Sequence, residues 1–349
     1  MAADLPATMR VVELAGTGGP EVLVPATWPV PRPAPGQLLV RVGGCGVCGH
    51  DALARRGALA ARAGAVLGHE IAGRVVATGF GVEDGWLGRR VALVQRIPCG
   101  VCADCSDGLT TLCRQGPGFY GEDLPGGYAE YVVASPLNAV PLPEGIDEAT
   151  GAILSCAVGT GLRALRSAGV GTGDIVVVTG AGGGVGVHTV QLAHHFGCRV
   201  VAVTGSPDKA DELERLGADR VAVRPDARAL RAAVGEVGGR RGADAVIEIT
   251  GGPTFATSVR ALAPRGRLVL VGNTEPAPLP VEPGLMILKE LRMHGSAHAD
   301  RGDLAEVIDL VLAGAVTPVP AHRWSLAEAS SAHSALDART VTGRAVLVP

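Results

Sequence analysis

The residues that could do chemistry fall into two groups. Cys99, Cys102, Cys105 and Cys113 share one short segment, PCGVCADCSDGLTTLC, with the spacing C-x2-C-x2-C-x7-C. Spacers that short let one loop wrap four thiolates around a tetrahedral zinc, and four such ligands leave no position for a substrate, so a structural site is expected. An iron–sulfur cluster and four unligated thiols are the other readings of that loop. The second group is dispersed: Cys48, His50 and Asp51 in CGVCGHDAL, His69 and Glu70 in LGHE, and Cys156 in SCAVG. A catalytic zinc takes three protein ligands from distant segments and keeps a fourth position open. Cys48, His69 and Cys156 would make such a set, but spacing alone does not bring them together. Taken singly, each reads as a small buried residue or a satisfied core histidine.

The elements that must position these residues are bounded by composition. A chain of 349 residues is too long for one small core and is expected to form two domains. With 51 glycines and only 3% aromatics, its core is expected to be aliphatic and its turns numerous. A formal charge of -3 offers no basic field to nucleic acid or to an anionic membrane. The opening MAADLPATMR lacks the apolar run of a secretory signal. Residues 175–193, the least charged stretch, are interrupted by glycines, His188 and Gln191, which argues against a membrane span. The expectation is a soluble, cytoplasmic protein whose cysteines serve metal or catalysis rather than disulfides.

From Asp174 the pattern becomes one of alternating units. IVVVT (175–179) is a β-branched run that ends in GAGGGVG (180–186) and opens an apolar-periodic helix. Strand, glycine turn and helix in that order make a phosphate cradle, which puts Gly180, Gly183, Gly184, Val185 and Gly186 against a dinucleotide. Further units follow: RVVAVT and a helix over 208–216, RVAV and a helix near 226–237, DAVIEIT and a helix near 254–263, then RLVLVG (267–272), whose Val271 joins the expected cofactor contacts. Such alternation predicts a doubly wound parallel sheet; an α/β domain whose glycines merely turn the chain is the alternative. An acid at the end of the second strand would bind the ribose diol of NAD. Thr204 stands there, with Ser206 and Lys209 able to hold a 2'-phosphate, so NADP(H) is favoured, although Asp208 nearby blurs the register.

GVCGHD, LGHEIAG, the four-cysteine loop, SCAVGTGLRAL, GAGGGVG and GSAHADRGDL together resemble the zinc-containing alcohol dehydrogenases of the medium-chain dehydrogenase/reductase superfamily, from about Met9 to the C-terminus. The opening GTGGPEVL is similar to the quinone oxidoreductase branch, which usually lacks zinc. The resemblance implies an α/β protein: a GroES-like, β-rich catalytic domain over 1–153 and 297–349, and a Rossmann NADP(H)-binding domain over 154–296. It further implies two zinc ions per chain, the catalytic one on Cys48, His69 and Cys156, with Glu70 as an occasional exchanging ligand. Asp51 would hold the far ring nitrogen of His69. Thr160 would lie near the nicotinamide and Arg301 near the cofactor phosphates. Gln95 replaces a frequent aromatic pocket residue, and the nucleotide domains commonly pair, so a homodimer or homotetramer is expected.

Alcohol-oxidising relatives carry Ser or Thr two residues after the zinc cysteine and a histidine three residues further on, which relay the alcohol proton. Those positions hold His50 and Leu53 here. Three roles remain open for His50: proton donor or acceptor, fourth zinc ligand, or pocket wall. The leading expectation is hydride transfer between NADP(H) and a small carbonyl compound or its alcohol. The runner-up sends hydride to the conjugated C=C of an enal, enone or enoyl thioester, because loss of the relay harms alcohol chemistry specifically. A non-catalytic NADPH-binding or redox-sensing protein is the third reading.

Overall fold

The computed structural model describes residues 5–59 and 61–349; residues 1–4, part of the opening read above for a secretory signal, lie outside them. The chain divides into two compact units. Among the described residues, one comprises those up to 159 together with 298–312 and 320–349, the other residues 160–297 and 313–319. The division after Gly159 leaves Cys156 with the first unit. No helix among the described residues is long and apolar enough to cross a membrane.

In the first unit a seven-stranded sheet is built around Leu38–Val47, whose inward residues Leu38, Val40, Val42, Cys45 and Val47 are buried. This strand runs antiparallel to Glu70–Thr78 on one side and to Arg344–Val348 on the other. Pairing of Gly46 with Glu70 and of Val47 with Ala345 fixes the register. The consequence is local: Cys48, Glu70 and Arg344 arrive at the same end of three neighbouring strands. A helix, Glu148–Ile153, starts on Asp147, whose side chain accepts the Thr150 N–H, and continues through a π-helical turn, Leu154–Val158, before Gly159–Ala168. Such a turn inserts an extra residue into the helical ladder and re-aims a side chain; here it carries Cys156.

The second unit holds six parallel strands. In chain order they are Ile175–Val178, Arg199–Thr204, Arg220–Val223, Ala243–Glu248, Leu262–Leu270 and Arg292–Gly295, and across the sheet they lie 3-2-1-4-5-6. That is the doubly wound Rossmann order, with its reversal between the first and fourth strands. Valines and isoleucines fill both faces, as a covered parallel sheet requires.

Several element ends differ from the sequence expectation, each for a visible reason. The strand expected to reach residue 250 stops at Glu248, whose carboxylate Oε1 takes the N–H of Thr250 and Gly251 and turns the chain out of the sheet. Its successor begins at Leu262, not 267, because Leu262 already pairs with Ala243; a register shift then absorbs Arg265, which sits at φ 64°. The helix expected over 208–216 is a 3-10 turn, Pro207–Lys209, followed by Ala210–Arg215, since Pro207 can only open it.

Candidate metal and nucleotide sites

In the first unit, one ligand atom each from Cys48, His69, Glu70 and Cys156 lie within 4.8 Å of one another, all buried. The Sγ atoms of Cys48 and Cys156 are 4.0 Å apart. Two thiolates on one tetrahedral zinc sit about 3.8 Å apart, given Zn–S bonds near 2.3 Å, so the pair is spaced for a shared ion. Cys48 is the N-cap of helix Gly49–Arg55, where Asp51 Oδ2 accepts the Cys48 N–H at 2.9 Å and closes a capping box. The other oxygen of Asp51 lies 3.2 Å from His69 Nδ1, which leaves Nε2 for a metal. Gly46 is needed at its position: a Cβ there would stand 2.2 Å from Glu70 Oε2.

Charge balance comes from Arg344. Its Nη2 is 3.1 Å from Glu70 Oε1 and 3.9 Å from Cys156 Sγ, while Nη1 donates to the Val47 carbonyl. The Cys48 thiol is drawn well below its ordinary value, first by the hydrogen bond from Cys156 and then, against burial, by Arg344 and His69. Cys156 moves the opposite way because it holds the proton the two sulfurs share. Burial raises Glu70 to about 8 despite the ion pair of its Oε1 with Arg344, and its Oε2 has no hydrogen-bond partner. A buried carboxylate that meets one guanidinium and keeps an oxygen unsatisfied, beside two thiols and an imidazole, is a donor set that suits a divalent cation.

His50 is not among that group. Its Nε2 lies 2.6 Å from Glu122 Oε1, and both side chains are about one-third exposed. The imidazole stands edge-on to the His69 ring at 5.3 Å and tilted over Phe119 at 5.5 Å. Hydrogen bonding to His50 holds the Glu122 carboxyl below the ordinary range. Glu122, in the turn sequence GEDLPGG, gives no sign of this role in the sequence, and neither does Arg344 in GRAVLVP. Gln95 is fully buried, accepts from Ser155 Oγ at 3.0 Å, and leaves its Nε2 without a partner.

The four cysteines of the loop also gather, with Cys99 and Cys105 Sγ 3.9 Å apart and Cys102 and Cys113 Sγ 3.8 Å apart. Backbone N–H groups of Val101 and Cys102 point at Cys99 Sγ, and that of Cys99 at Cys113 Sγ. Sulfurs this close fit one metal ion, whereas an iron–sulfur cluster would have to spread them around a larger body. Cys45 and Cys198 are buried and belong to neither group, although Cys45 lies close enough to Asp51 and Glu70 for their charge to help raise its thiol.

In the second unit the glycine turn opens helix Gly184–His195, with Gly183 at the N-cap. A Cβ on Gly186 would lie 2.3 Å from the Gly180 carbonyl oxygen, so the close strand–helix packing of a phosphate-binding turn needs this glycine. Thr204 is the last residue of its strand, and its Oγ1 accepts the Ser206 N–H at 3.1 Å; Asp208 is exposed beyond it. Lys209 reaches back to within 3.4 Å of the Gly182 carbonyl oxygen. Arg224, not foreseen, donates from Nε to the Gly205 carbonyl at 2.7 Å. Val271 follows the fifth strand, its N–H on the Glu248 carbonyl. Thr160, in the first turn of its helix, is buried with no partner for its Oγ1. Arg301 belongs to the first unit, where its Nε donates to the Ala139 carbonyl.

Comparison with known proteins follows this division. A family model described as "Alcohol dehydrogenase GroES-like domain" matches residues 34–144, and one described as "Zinc-binding dehydrogenase" matches residues 184–313. An acryloyl-coenzyme A reductase from Metallosphaera sedula is 32% identical over 319 residues, 91% of this chain and 93% of that protein. The chain belongs to the zinc-containing alcohol dehydrogenase family. Within this medium-chain dehydrogenase/reductase superfamily, an NAD-dependent alcohol dehydrogenase from Sulfolobus acidocaldarius is 34% identical over 335 residues, covering 91% of this chain and 94% of its own. Among solved structures, "crystal structure of AibC" superposes with a TM-score of 0.90 at 40% identity, covering 98% of this chain and 96% of the other. A cobalt- and zinc-bound thermostable alcohol dehydrogenase from Pyrobaculum aerophilum gives 0.89 at 28% identity, covering 98% of this chain and all of its own. This medium-chain dehydrogenase/reductase is therefore an oxidoreductase with relatives named for both reactions weighed above.

Proposed function

We propose that this chain is an NADP(H)-dependent reductase that holds two zinc ions and adds hydride and a proton across the C=C bond of an α,β-unsaturated acyl thioester. The observation that carries the reading is His50. An imidazole engaged by Glu122, with the apolar Leu53 one turn on, stands where alcohol-oxidising relatives keep a hydroxyl relay. Relatives named acryloyl-coenzyme A reductase, from two organisms and at 30–32% identity, support it.

Zinc held by Cys48, His69 and Cys156 supplies Lewis-acid polarisation of a carbonyl oxygen, and the reduced nicotinamide supplies hydride. The chain's own residues do the rest. Asp51 fixes the tautomer of His69, and Arg344 offsets the charge of the thiolates. Gln95 Nε2 offers an unpaired donor to a substrate oxygen. Hydride at the β-carbon leaves the α-carbon in need of one proton; His50 gives it, while Glu122 holds the Nε2 proton and lets the ring recharge from solvent. Thr204, Ser206, Lys209 and Arg224 favour a 2'-phosphate over a bare ribose, and Thr160 Oγ1 is a free contact for the nicotinamide.

A second reading, carbonyl–alcohol interconversion, is favoured by the complete group of Cys48, His69, Glu70 and Cys156, which the resemblance to the usually zinc-free quinone oxidoreductase branch does not explain. The test is to incubate the zinc-loaded protein with NADPH and, separately, an enoyl thioester and the matching enal, then identify products by mass spectrometry. A saturated thioester is expected; an allylic alcohol from the enal, with the thioester untouched, would replace this reading with the second. We also propose a cytoplasmic homodimer or homotetramer: no disulfide pairs the cysteines, and Ile287 and Leu288 are exposed just before the edge strand Arg292–Gly295.

A further inference from the structure

Behind His69 a buried chain of hydrogen bonds continues for two more side chains. His69 Nδ1 is 3.2 Å from Asp51 Oδ1, Tyr128 Oη is 3.3 Å from Asp51 Oδ2, and His333 Nε2 is 2.9 Å from Tyr128 Oη. None of the four residues is more than 2% exposed. They come from four distant segments, and the last lies on helix Ala329–Asp337 near the end of the chain.

Proton placement along this chain follows from charge. Burial holds His333 down to about 4, so its ring is neutral and has one N–H. With that proton on Nδ1, a buried donor would have no partner, since Nδ1 has none, and the Tyr128 hydroxyl would be drawn toward His333 and away from the Asp51 anion. With the proton on Nε2, His333 donates to Tyr128, Tyr128 donates to Asp51, and every proton points at the carboxylate. Hydrogen bonds to an anion are the stronger ones, so the second arrangement prevails. Asp51 also accepts the N–H of Cys48 at 2.9 Å and of Gly68 at 3.3 Å, which hold its orientation without help from Tyr128.

We propose that Tyr128 and His333 are positioning residues that set how strongly Asp51 pulls on the Nδ1 proton of His69, and so how tightly the metal at Cys48, His69 and Cys156 is held. The inference rests on the metal reading above. A carboxylate shared among more donors accepts less strongly from each, and a weaker bond at Nδ1 leaves Nε2 a poorer electron donor. Removing the Tyr128 hydroxyl returns that share to His69.

The test uses the zinc-loaded full chain and the variant Tyr128→Phe, which keeps the ring and its packing. The His69 Nδ1 proton resonance is expected to move downfield, and zinc release from this site to a chelator to slow about threefold, less than the 10- to 100-fold that loss of a direct ligand partner brings. Release from the four-cysteine loop serves as an internal control and should not change. His333→Leu should act in the same direction, and His333→Gln, whose amide N–H replaces the donor, should restore the original rate. An unmoved resonance with an unchanged rate would overturn the proposal, as would faster release, which marks Tyr128 as packing alone. A parent protein with one zinc per chain, insensitive to Cys48→Ser, would instead overturn the metal reading itself.

Discussion

The two thiol-rich sites meet the same need by opposite means. In the loop, residues 99–113 supply all four sulfurs, and backbone N–H groups of the same loop steady them. At Cys48 the ligands come from the ends of neighbouring strands and from a π-helical turn, and a buried guanidinium from the last strand balances them. The first site depends on its own loop, the second on the whole unit. Only the second has a carboxylate, Glu70, in its group, so as a metal site only the second would combine strong thiolate ligands with a weaker group able to give way to substrate.

Removing one cysteine from each site should act on the two in opposite ways. Cys48→Ser is expected to leave one zinc per chain and to cut turnover by about a thousandfold, the scale on which removing a charge-stabilising group acts. Metal analysis together with kcat checks both. Retention of two zinc ions would show that Cys48 is no ligand. Cys105→Ser should do the reverse. Opening a clip of this loop length costs roughly 3 kcal/mol, so Tm should fall while turnover per folded molecule stays within about twofold. A calorimetric scan with an activity assay separates the outcomes, and loss of turnover at unchanged Tm would make the loop part of catalysis.

The same contrast explains what could be read from the sequence. The four-cysteine site is legible because its ligands are local, and spacing alone gathers them. Cys48, His69 and Cys156 are legible only through resemblance, since the pairing of Gly46 with Glu70 and the turn at Leu154–Val158 are properties of the folded sheet and helix. Glu122, Arg344, Tyr128 and His333 are illegible: each sits in an ordinary turn, strand or helix pattern and gains meaning only from partners 72 to 274 residues away. In the nucleotide unit, strand, glycine turn and helix follow one another in sequence, so the order of elements is readable. Element ends are not, because the Glu248 side chain and the left-handed Arg265 decide them.

Acid is expected to act on the dispersed site, whose hydrogen-bonded chain reaches a titratable group deep in its unit. His333 has a folded value of about 4 against an ordinary 6.5, so as pH falls the unfolded chain takes up this proton first. Stability from this group is fully present above pH 6.5 and is lost as pH drops toward 4, at most roughly 3 kcal/mol for a shift of that size. His333→Gln should flatten that slope in denaturant titrations run across the window. An unchanged slope would place the acid sensitivity elsewhere.

The smallest effect expected is at the rim of the dispersed site, where His50 and Glu122 meet. Glu122→Gln keeps a hydrogen-bonding side chain of the same size but removes the carboxylate that meets His50 Nε2 at 2.6 Å. Because Glu122 belongs to neither group that could hold metal, both zinc ions should stay and Tm should move little. Glu122 acts on the proton through His50, so kcat should fall about tenfold, below the full 100-fold or more of a lost general acid, with KM nearly unchanged. Added small amines or imidazole should restore part of the rate, which a purely structural defect would not allow. A rate unchanged by Glu122→Gln and unaffected by such additives would return His50 to the role of a pocket wall and leave solvent as the proton source.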